Sequence, residues 1–205
     1  MATIYYDADA DLEQLRELPI ALIGYGNQGR AHALNLRDSG LNVWVGSRPD
    51  SAARARATAD GFTAHTISET VENCSVLALM LPDEVLPRVY TDQIEPYIRP
   101  FCSFVFAHGF TVRHKTIHIP EDADVLLVAP TGPGRQLRTL YEEGKGLPAL
   151  LAVQQDASGL ACIATVSGRG YRFVAPLRVY GGEIATPAGR RPVRVRGNCL
   201  KFPTS

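Results

Sequence analysis

The fold is decided by the stretch Pro19-Ile20-Ala21-Leu22-Ile23-Gly24-Tyr25-Gly26-Asn27-Gln28-Gly29. Its first five residues predict a buried strand, and the glycines that follow predict a tight turn into a helix. Such a turn points backbone N–H groups and a helix N-terminus at a bound pyrophosphate. A glycine turn that holds no ligand is the alternative. The residues predicted here to bind a dinucleotide cofactor are Gly24, Tyr25, Gly26, Asn27, Gln28 and Gly29.

The end of the next predicted strand, at residues 41–46, narrows the choice of cofactor. An NAD-selective fold usually carries Asp or Glu about twenty residues after the glycine loop, where it binds the ribose 2′-hydroxyl. This chain has Arg48 there, between the hydroxyl groups of Ser47 and Ser51. A guanidinium group beside hydroxyls suits a 2′-phosphate, so Arg48 and Ser51 predict NADP. Asp50 would repel that phosphate or bind a 2′-hydroxyl, and a solvated turn is the alternative for Arg48, so the preference over NAD stays open.

The overall composition is typical of a soluble globular protein. The residues are 45% hydrophobic and 20% charged. The length of 205 residues is enough for one ordinary domain and a little more. No apolar run reaches membrane-spanning length, and the acidic N-terminus lacks the pattern of a signal peptide. The cysteines show no metal-ligand spacing, which predicts buried or free thiols in a reducing cytoplasm and no metal site. They are Cys74, Cys102, Cys162 and Cys199.

A net charge of zero conceals two segments of opposite charge. Residues 1–160 hold 13 Lys and Arg against 20 Asp and Glu, whereas residues 161–205 hold 8 against 1. Such asymmetry suggests segments of different origin or role. We therefore predict an NADP-binding domain over 1–160 and a basic, β-like tail of uncertain fold over 161–205.

Strand and helix patterns alternate up to residue 160. This alternation predicts an α/β, Rossmann-like, doubly wound and mostly parallel sheet. The predicted elements are helices at 28–39, 51–60 and 66–73 and strands at 41–46, 76–81, 103–107, 124–129 and 148–153. Ligands bind at the carboxyl ends of such strands, so the loops after Leu81, Ala107 and Ala129 should face the cofactor. The cofactor contacts predicted in the first of these loops are Leu81, Pro82 and Asp83.

Several blocks of sequence resemble the N-terminal domain of ketol-acid reductoisomerase. The blocks lie at 4–7, 24–40, 81–85, 107–110, 128–130, 132–134, 141–146 and 155–159. The family rearranges 2-acetolactate with Mg²⁺ and reduces the product with NADPH, in the biosynthesis of valine and isoleucine. The resemblance implies that His108 is an active-site histidine beside the nicotinamide and that Gly134 contacts the cofactor. An ordinary loop histidine is the alternative for His108, and His32 is expected to be structural or exposed.

The chain departs from that family in two places. The family holds Mg²⁺ with carboxylates of a helical domain that is expected after residue 160. The tail at 161–205 contains a single carboxylate residue, Glu183. The family also has a lysine where this chain has Thr131. Threonine carries no positive charge, which puts stabilisation of the transition-state charge at this position in doubt. We therefore expect the chain alone to bind NADPH without isomerising acetolactate. A separate chain that supplies a helical domain stays open as a partner.

The tail suggests an alternative function. Residues 165–175 predict two short strands around a Gly-Arg-Gly turn and resemble the last hairpin of winged-helix regulators. Arg169 and Arg172 would suit phosphate contacts, but no recognition helix precedes them, so nucleic acid is not the expected partner. The alternatives are a nucleotide-sensing or regulatory protein with a basic nucleic-acid-binding tail, and a fusion or reading-frame change that replaced the catalytic domain.

Overall fold

The computed structural model describes residues 4–5, 12–157 and 171–174. Its strands are β1 Ile4–Tyr5, β2 Ile20–Ile23, β3 Val43–Gly46, β4 Ala64–His65, β5 Val76–Leu79, β6 Ser103–Phe106, β7 Asp124–Pro130, β8 Leu147–Gln155 and β9 Tyr171–Val174. Its α-helices are α1 Glu13–Arg16, α2 Asn27–Asp38, α3 Ala52–Ala59, α4 Ile67–Asn73, α5 Leu86–Val89, α6 Phe110–His114 and α7 Gly134–Glu142. A π-helical turn, Tyr90–Ile94, and a 3₁₀ turn, Glu95–Tyr97, continue α5.

All the described strands belong to one sheet, in the order β1-β9-β8-β7-β6-β5-β2-β3-β4. The strands from β7 to β4 in that order are parallel to one another, whereas β8 runs antiparallel to β7. Numbered along the chain, these parallel strands have the doubly wound order 3-2-1-4-5-6. The predicted Rossmann-like fold is therefore confirmed. The order reverses between β2 and β5, and a ligand crevice is expected outside the carboxyl ends of those two strands.

Strand β2 is buried on both faces, which explains its uninterrupted apolar sequence. Ala21 and Ile23 face one hydrophobic cluster, which includes residues of α4 and α5. Ile20 and Leu22 face the other cluster, which includes residues of α2 and α3. The strand thus lies at the centre of the molecule and carries the glycine loop on a rigid support.

Side-chain caps fix the starts of α3 and α4, the helices that follow β3 and β4 in the chain. The Ser51 hydroxyl accepts a hydrogen bond from the backbone N–H of Arg54 at the start of α3. Thr66 and Glu69 form the reciprocal capping box that the sequence predicts for α4. Each cap satisfies N–H groups that a helix leaves unpaired in its first turn.

The predicted strand at 148–153 is longer in the structure, and a strand from the tail joins the sheet beside it. Strand β9 pairs in parallel with β8 and antiparallel with β1. The rest of the hairpin predicted at 165–175, and most of the basic tail, lie outside the described residues. The domain boundary at residue 160 stays a prediction.

The two described cysteines are free and buried. Burial raises the pKa of the Cys74 thiol and of the Cys102 thiol to about 12. Cys162 and Cys199 lie outside the described residues. Within the described part of the chain, no helix has both the length and the apolar character needed to cross a bilayer. Location in the cytoplasm stays a prediction.

Candidate cofactor site

The glycine loop after β2 is held by close backbone contacts. Gly24 has φ +100°, and a Cβ atom there would lie 2.8 Å from the carbonyl oxygen of Met80 at the end of β5. A Cβ atom on Gly29 would lie 2.0 Å from the carbonyl oxygen of Gly24. Both positions therefore need glycine for turning and for close packing between strand and helix.

Gly26 differs because it faces open space. A Cβ atom there would have no neighbour within 4 Å, and its φ of −83° suits any residue. Gly26 is the N-cap of α2, and no side chain caps this helix. The unpaired N–H groups of the first turn of α2 thus adjoin an open space at the crevice. This combination suits the pyrophosphate of a dinucleotide.

The side chain of Tyr25 packs inward. Its ring is 1% exposed and meets the Phe62 ring edge-on at 5.8 Å, and its hydroxyl donates to Asp60 Oδ2 at 2.8 Å. Arg30 donates two further hydrogen bonds to the same carboxylate, at 2.6 and 2.7 Å. Tyr25 therefore offers a cofactor its backbone only, while its side chain ties the loop to the C-terminal end of α3.

Gly134 begins α7 against the start of α2. A Cβ atom on Gly134 would lie 2.0 Å from the Asn27 carbonyl oxygen and 3.0 Å from the Gln28 backbone nitrogen. Gln28 Nε2 donates to the Gly132 carbonyl at 2.9 Å, so this side chain joins the two loops. The structure thus brings Gly134 to the glycine loop, although 105 residues separate it from Gly29 in the sequence.

The residues predicted to bind a 2′-phosphate follow β3. Arg48 and Asp50 are exposed. The Ser51 hydroxyl donates to the Arg48 carbonyl at 2.8 Å and caps α3, so it is engaged in holding this turn. Ser47 is 4% exposed, and its buried Oγ has no hydrogen-bond partner. Ser47 therefore has unused hydrogen-bonding capacity at the carboxyl end of β3, which suits a polar ribose or phosphate group.

The loops after β5 and β6 meet at the crevice. His108 Nδ1 lies 3.6 Å from Asp83 Oδ2, and the Thr111 hydroxyl donates to Asp83 Oδ1 at 3.2 Å. Of the other two residues predicted here, Leu81 is partly buried against the core, and the Pro82 carbonyl accepts the N–H groups that begin α5. The structure thus brings together Asp83 and His108, which the sequence predicted as separate cofactor and catalytic residues.

Thr131 forms a closed local contact. Its backbone N–H and its hydroxyl both donate to the Pro148 carbonyl, at 2.9 and 2.8 Å. A threonine bound in this way ties the end of β7 to β8 and carries no positive charge. The described residues also contain no group of three His, Cys, Asp or Glu side chains arranged to hold a metal ion. The carboxylate cluster that the resemblance implies for Mg²⁺ is therefore not found in the described part of the chain.

Sequence reasoning missed a polar contact between α7 and the C-terminal half of α2. Arg138 donates to Asn35 Oδ1 at 3.0 Å and to Asp38 at 2.6 Å, and the Tyr141 and Ser39 hydroxyls lie 2.9 Å apart. About one hundred residues separate the members of each pair, so no local pattern reveals the contacts. His32 lies on the same helix and is buried, which lowers its pKa to about 4; of the two alternatives expected for it, structural or exposed, the structure excludes the exposed one.

Comparisons with known proteins agree with this geometry. Residues 14–170 match the family model for the NADPH-binding domain of acetohydroxy acid isomeroreductase. The chain is similar to the structure of an NADH-preferring ketol-acid reductoisomerase from an uncultured archaeon, with 40% sequence identity and a TM-score of 0.76. That match covers 82% of this chain and 52% of the other, so this chain spans about half the length of that relative.

More distant matches show the fold alone. One is a putative NADP oxidoreductase from Bacteroides fragilis, with 24% identity, a TM-score of 0.57, and coverage of 78% of this chain and 60% of that one. Another is a semialdehyde dehydrogenase NAD-binding protein from Cupriavidus necator, with 18% identity, a TM-score of 0.62, and coverage of 78% and 63%. The family model matches most of the sequence and contains the whole glycine loop. The chain therefore belongs to the ketol-acid reductoisomerase family and carries its NADPH-binding domain.

Proposed function

We propose that the crevice between β2 and β5 binds NADPH as the cofactor site of a ketol-acid reductoisomerase reaction. In that reaction 2-acetolactate is isomerised and reduced during the synthesis of valine and isoleucine. The observation that carries the proposal is the open space at Gly26, in front of an uncapped α2. The close contacts at Gly24 and Gly29 support it, because they hold the loop in the form that a pyrophosphate needs.

Each part of the cofactor has candidate residues. The backbone of the glycine loop would hold the pyrophosphate, with Gly134 beside it. Arg48 and Ser51 would hold the 2′-phosphate, with Ser47 as a neighbouring hydroxyl, and His108 would lie at the nicotinamide end. Bound NADPH supplies a hydride for the reduction. The residues named above would bind and orient the cofactor. His108 would hold or move a proton at one of its imidazole nitrogens.

The preference for NADPH over NADH rests on Arg48, whereas the 40% identical relative prefers NADH. Titrations of both cofactors into the wild type and an Arg48→Ala variant test this preference. NADPH binding should weaken by about 1.5–3 kcal/mol, the range for hydrogen bonds to charged groups, and NADH binding should be unchanged. Asp50→Ala is the matched control and should not weaken NADPH binding. Equal losses for both cofactors in Arg48→Ala would show that Arg48 does not select NADPH.

We also propose that this chain alone does not isomerise 2-acetolactate. Two observations support this: Thr131 carries no charge and is bound to the Pro148 carbonyl, and the described residues contain no group of three His, Cys, Asp or Glu side chains that could hold a metal ion. NADPH absorbance is followed with 2-acetolactate and Mg²⁺, using the purified chain. No consumption is expected, and Mg²⁺-dependent consumption would refute the proposal. The intact mass of the native protein and of any co-purifying chain would show whether a separate helical partner completes the site.

A further inference from the structure

The Asp83 carboxylate contacts two residues of the loop and helix that follow β6. Its Oδ1 accepts the hydroxyl hydrogen of Thr111 at 3.2 Å, and Thr111 is 1% exposed in α6. Its Oδ2 lies 3.6 Å from Nδ1 of His108. The buried hydroxyl thus fixes one oxygen, and the other faces the imidazole ring. The His108 side chain is 56% exposed, so the rest of the imidazole ring stays accessible.

We infer that Asp83 is a positioning residue that sets the tautomer and orientation of His108, and this role rests on the proposed function of His108. An ionised carboxylate only accepts hydrogen bonds, so the ring nitrogen that faces it carries the hydrogen. Nδ1 is then protonated, and Nε2 keeps a lone pair on the opposite side of the ring. The nitrogen that takes up or binds a proton is therefore Nε2.

The group formed by Asp83, His108 and Thr111 is built from the segments that follow two different strands. Asp83 follows β5, whereas His108 and Thr111 follow β6, and the two strands are parallel neighbours in register. The buried Thr111 hydroxyl holds the carboxylate, while the His108 side chain stays exposed. In this inference Asp83 acts through His108, and the direct cofactor contact predicted for Asp83 from the sequence stays a prediction.

Nitrogen NMR of the full chain, labelled with ¹⁵N at histidine, tests the inference. Spectra are taken with and without NADPH at about pH 9, where an ordinary imidazole is neutral. His108 should be mainly the Nδ1–H tautomer in the wild type, and Asp83→Ala should shift it towards the Nε2–H form. Glu84→Ala removes a neighbouring exposed carboxylate and should leave the tautomer unchanged.

Thr111→Val keeps the carboxylate but removes the hydroxyl that fixes it, so it tests the same contacts if Asp83→Ala does not fold. Thr111→Val should shift His108 towards the Nε2–H form, as Asp83→Ala does. Thr111→Ser, which keeps the hydroxyl, should retain the Nδ1–H form of the wild type. An Nε2–H tautomer in the wild type, an unchanged tautomer in both Asp83→Ala and Thr111→Val, or an equal shift in Glu84→Ala would overturn the inference. Failure of the wild type to bind NADPH would refute the proposed function instead, because the tautomer is measured without the cofactor as well.

Discussion

A Cβ atom on Gly29 would lie 2.0 Å from the carbonyl oxygen of Gly24. The two atoms cannot both stay in place, so Gly29→Ala must push α2 away from β2 or distort the loop. Overpacking of this kind costs about 1–3 kcal/mol, and more where the backbone cannot move. We expect urea unfolding to show a loss in this range. An unfolding free energy equal to that of the wild type would contradict the packing described here.

Gly26→Ala separates ligand contact from packing at the same loop. The added methyl group enters open space, and an alanine N-cap costs less than about 1 kcal/mol relative to glycine. Stability should therefore change little, while NADPH binding should weaken at least tenfold because the methyl group occupies the space assigned to the pyrophosphate. Fluorescence titration with NADPH measures the loss. Unchanged binding in a folded Gly26→Ala variant would show that the pyrophosphate lies elsewhere.

Asp60 should make the stability of the chain depend on acid pH. The Arg30 guanidinium donates two hydrogen bonds to this carboxyl and lowers its pKa below the ordinary value, with the Tyr25 hydroxyl adding to the effect and burial opposing it. A carboxyl with a lowered folded-state pKa stabilises the protein above its unfolded-state pKa of about 3.9, and this contribution is lost as the pH falls through the folded-state value.

Asp60→Asn should therefore lower the unfolding free energy at pH 7. The loss should be only about 1 kcal/mol, because solvent screens the charge of the half-exposed Arg30. The difference from the wild type should shrink below about pH 4. Urea unfolding at several pH values measures it. Asp92→Asn is the control, since Asp92 forms only an exposed pair with Arg88 at 3.6 Å. A difference that stays constant with pH would show that the charge of Asp60 contributes nothing.

His32 should also make the unfolding free energy fall as the pH falls, but over a higher pH range than Asp60, because burial lowers the pKa of this histidine to about 4. Between about pH 6.5 and pH 4 the unfolded chain binds a proton at this histidine and the folded chain does not. The unfolding free energy should therefore fall as the pH drops through this window, by up to about 3 kcal/mol. His32→Gln should remove this part of the pH dependence. His114→Gln, at an exposed histidine, should leave it; equal profiles for all three proteins would contradict the burial of His32.

The sequence predicted the parts of the molecule that depend on local pattern. Strand β2 is buried on both faces, so its apolar run is continuous and easily recognised. The glycine loop follows it directly, and the cap of α4 lies within four residues, Thr66 to Glu69. The resemblance to a known family added His108 and Gly134, which no spacing rule connects to the loop.

Contacts between distant residues were beyond sequence reasoning. Asp60 lies 35 residues from Tyr25, and Arg138 lies 103 residues from Asn35, so neither tie has a local pattern. The sequence predicts Ser51 as a phosphate ligand because of its hydroxyl, and this stays a prediction; that the same hydroxyl caps α3 became visible only in the structure, because the two roles look alike in sequence. The length of β8 was underestimated, because both its buried and its exposed residues include apolar side chains that hide the alternation.

The central claim is that the glycine loop holds NADPH, and calorimetric titration of NADPH into the full chain tests it most directly. We predict saturable binding of one NADPH per chain, with Gly26→Ala folded but weakened and Arg48→Ala weakened for NADPH alone. Absence of binding to the folded wild-type chain, or equal binding by the wild type and Gly26→Ala, would contradict the claim.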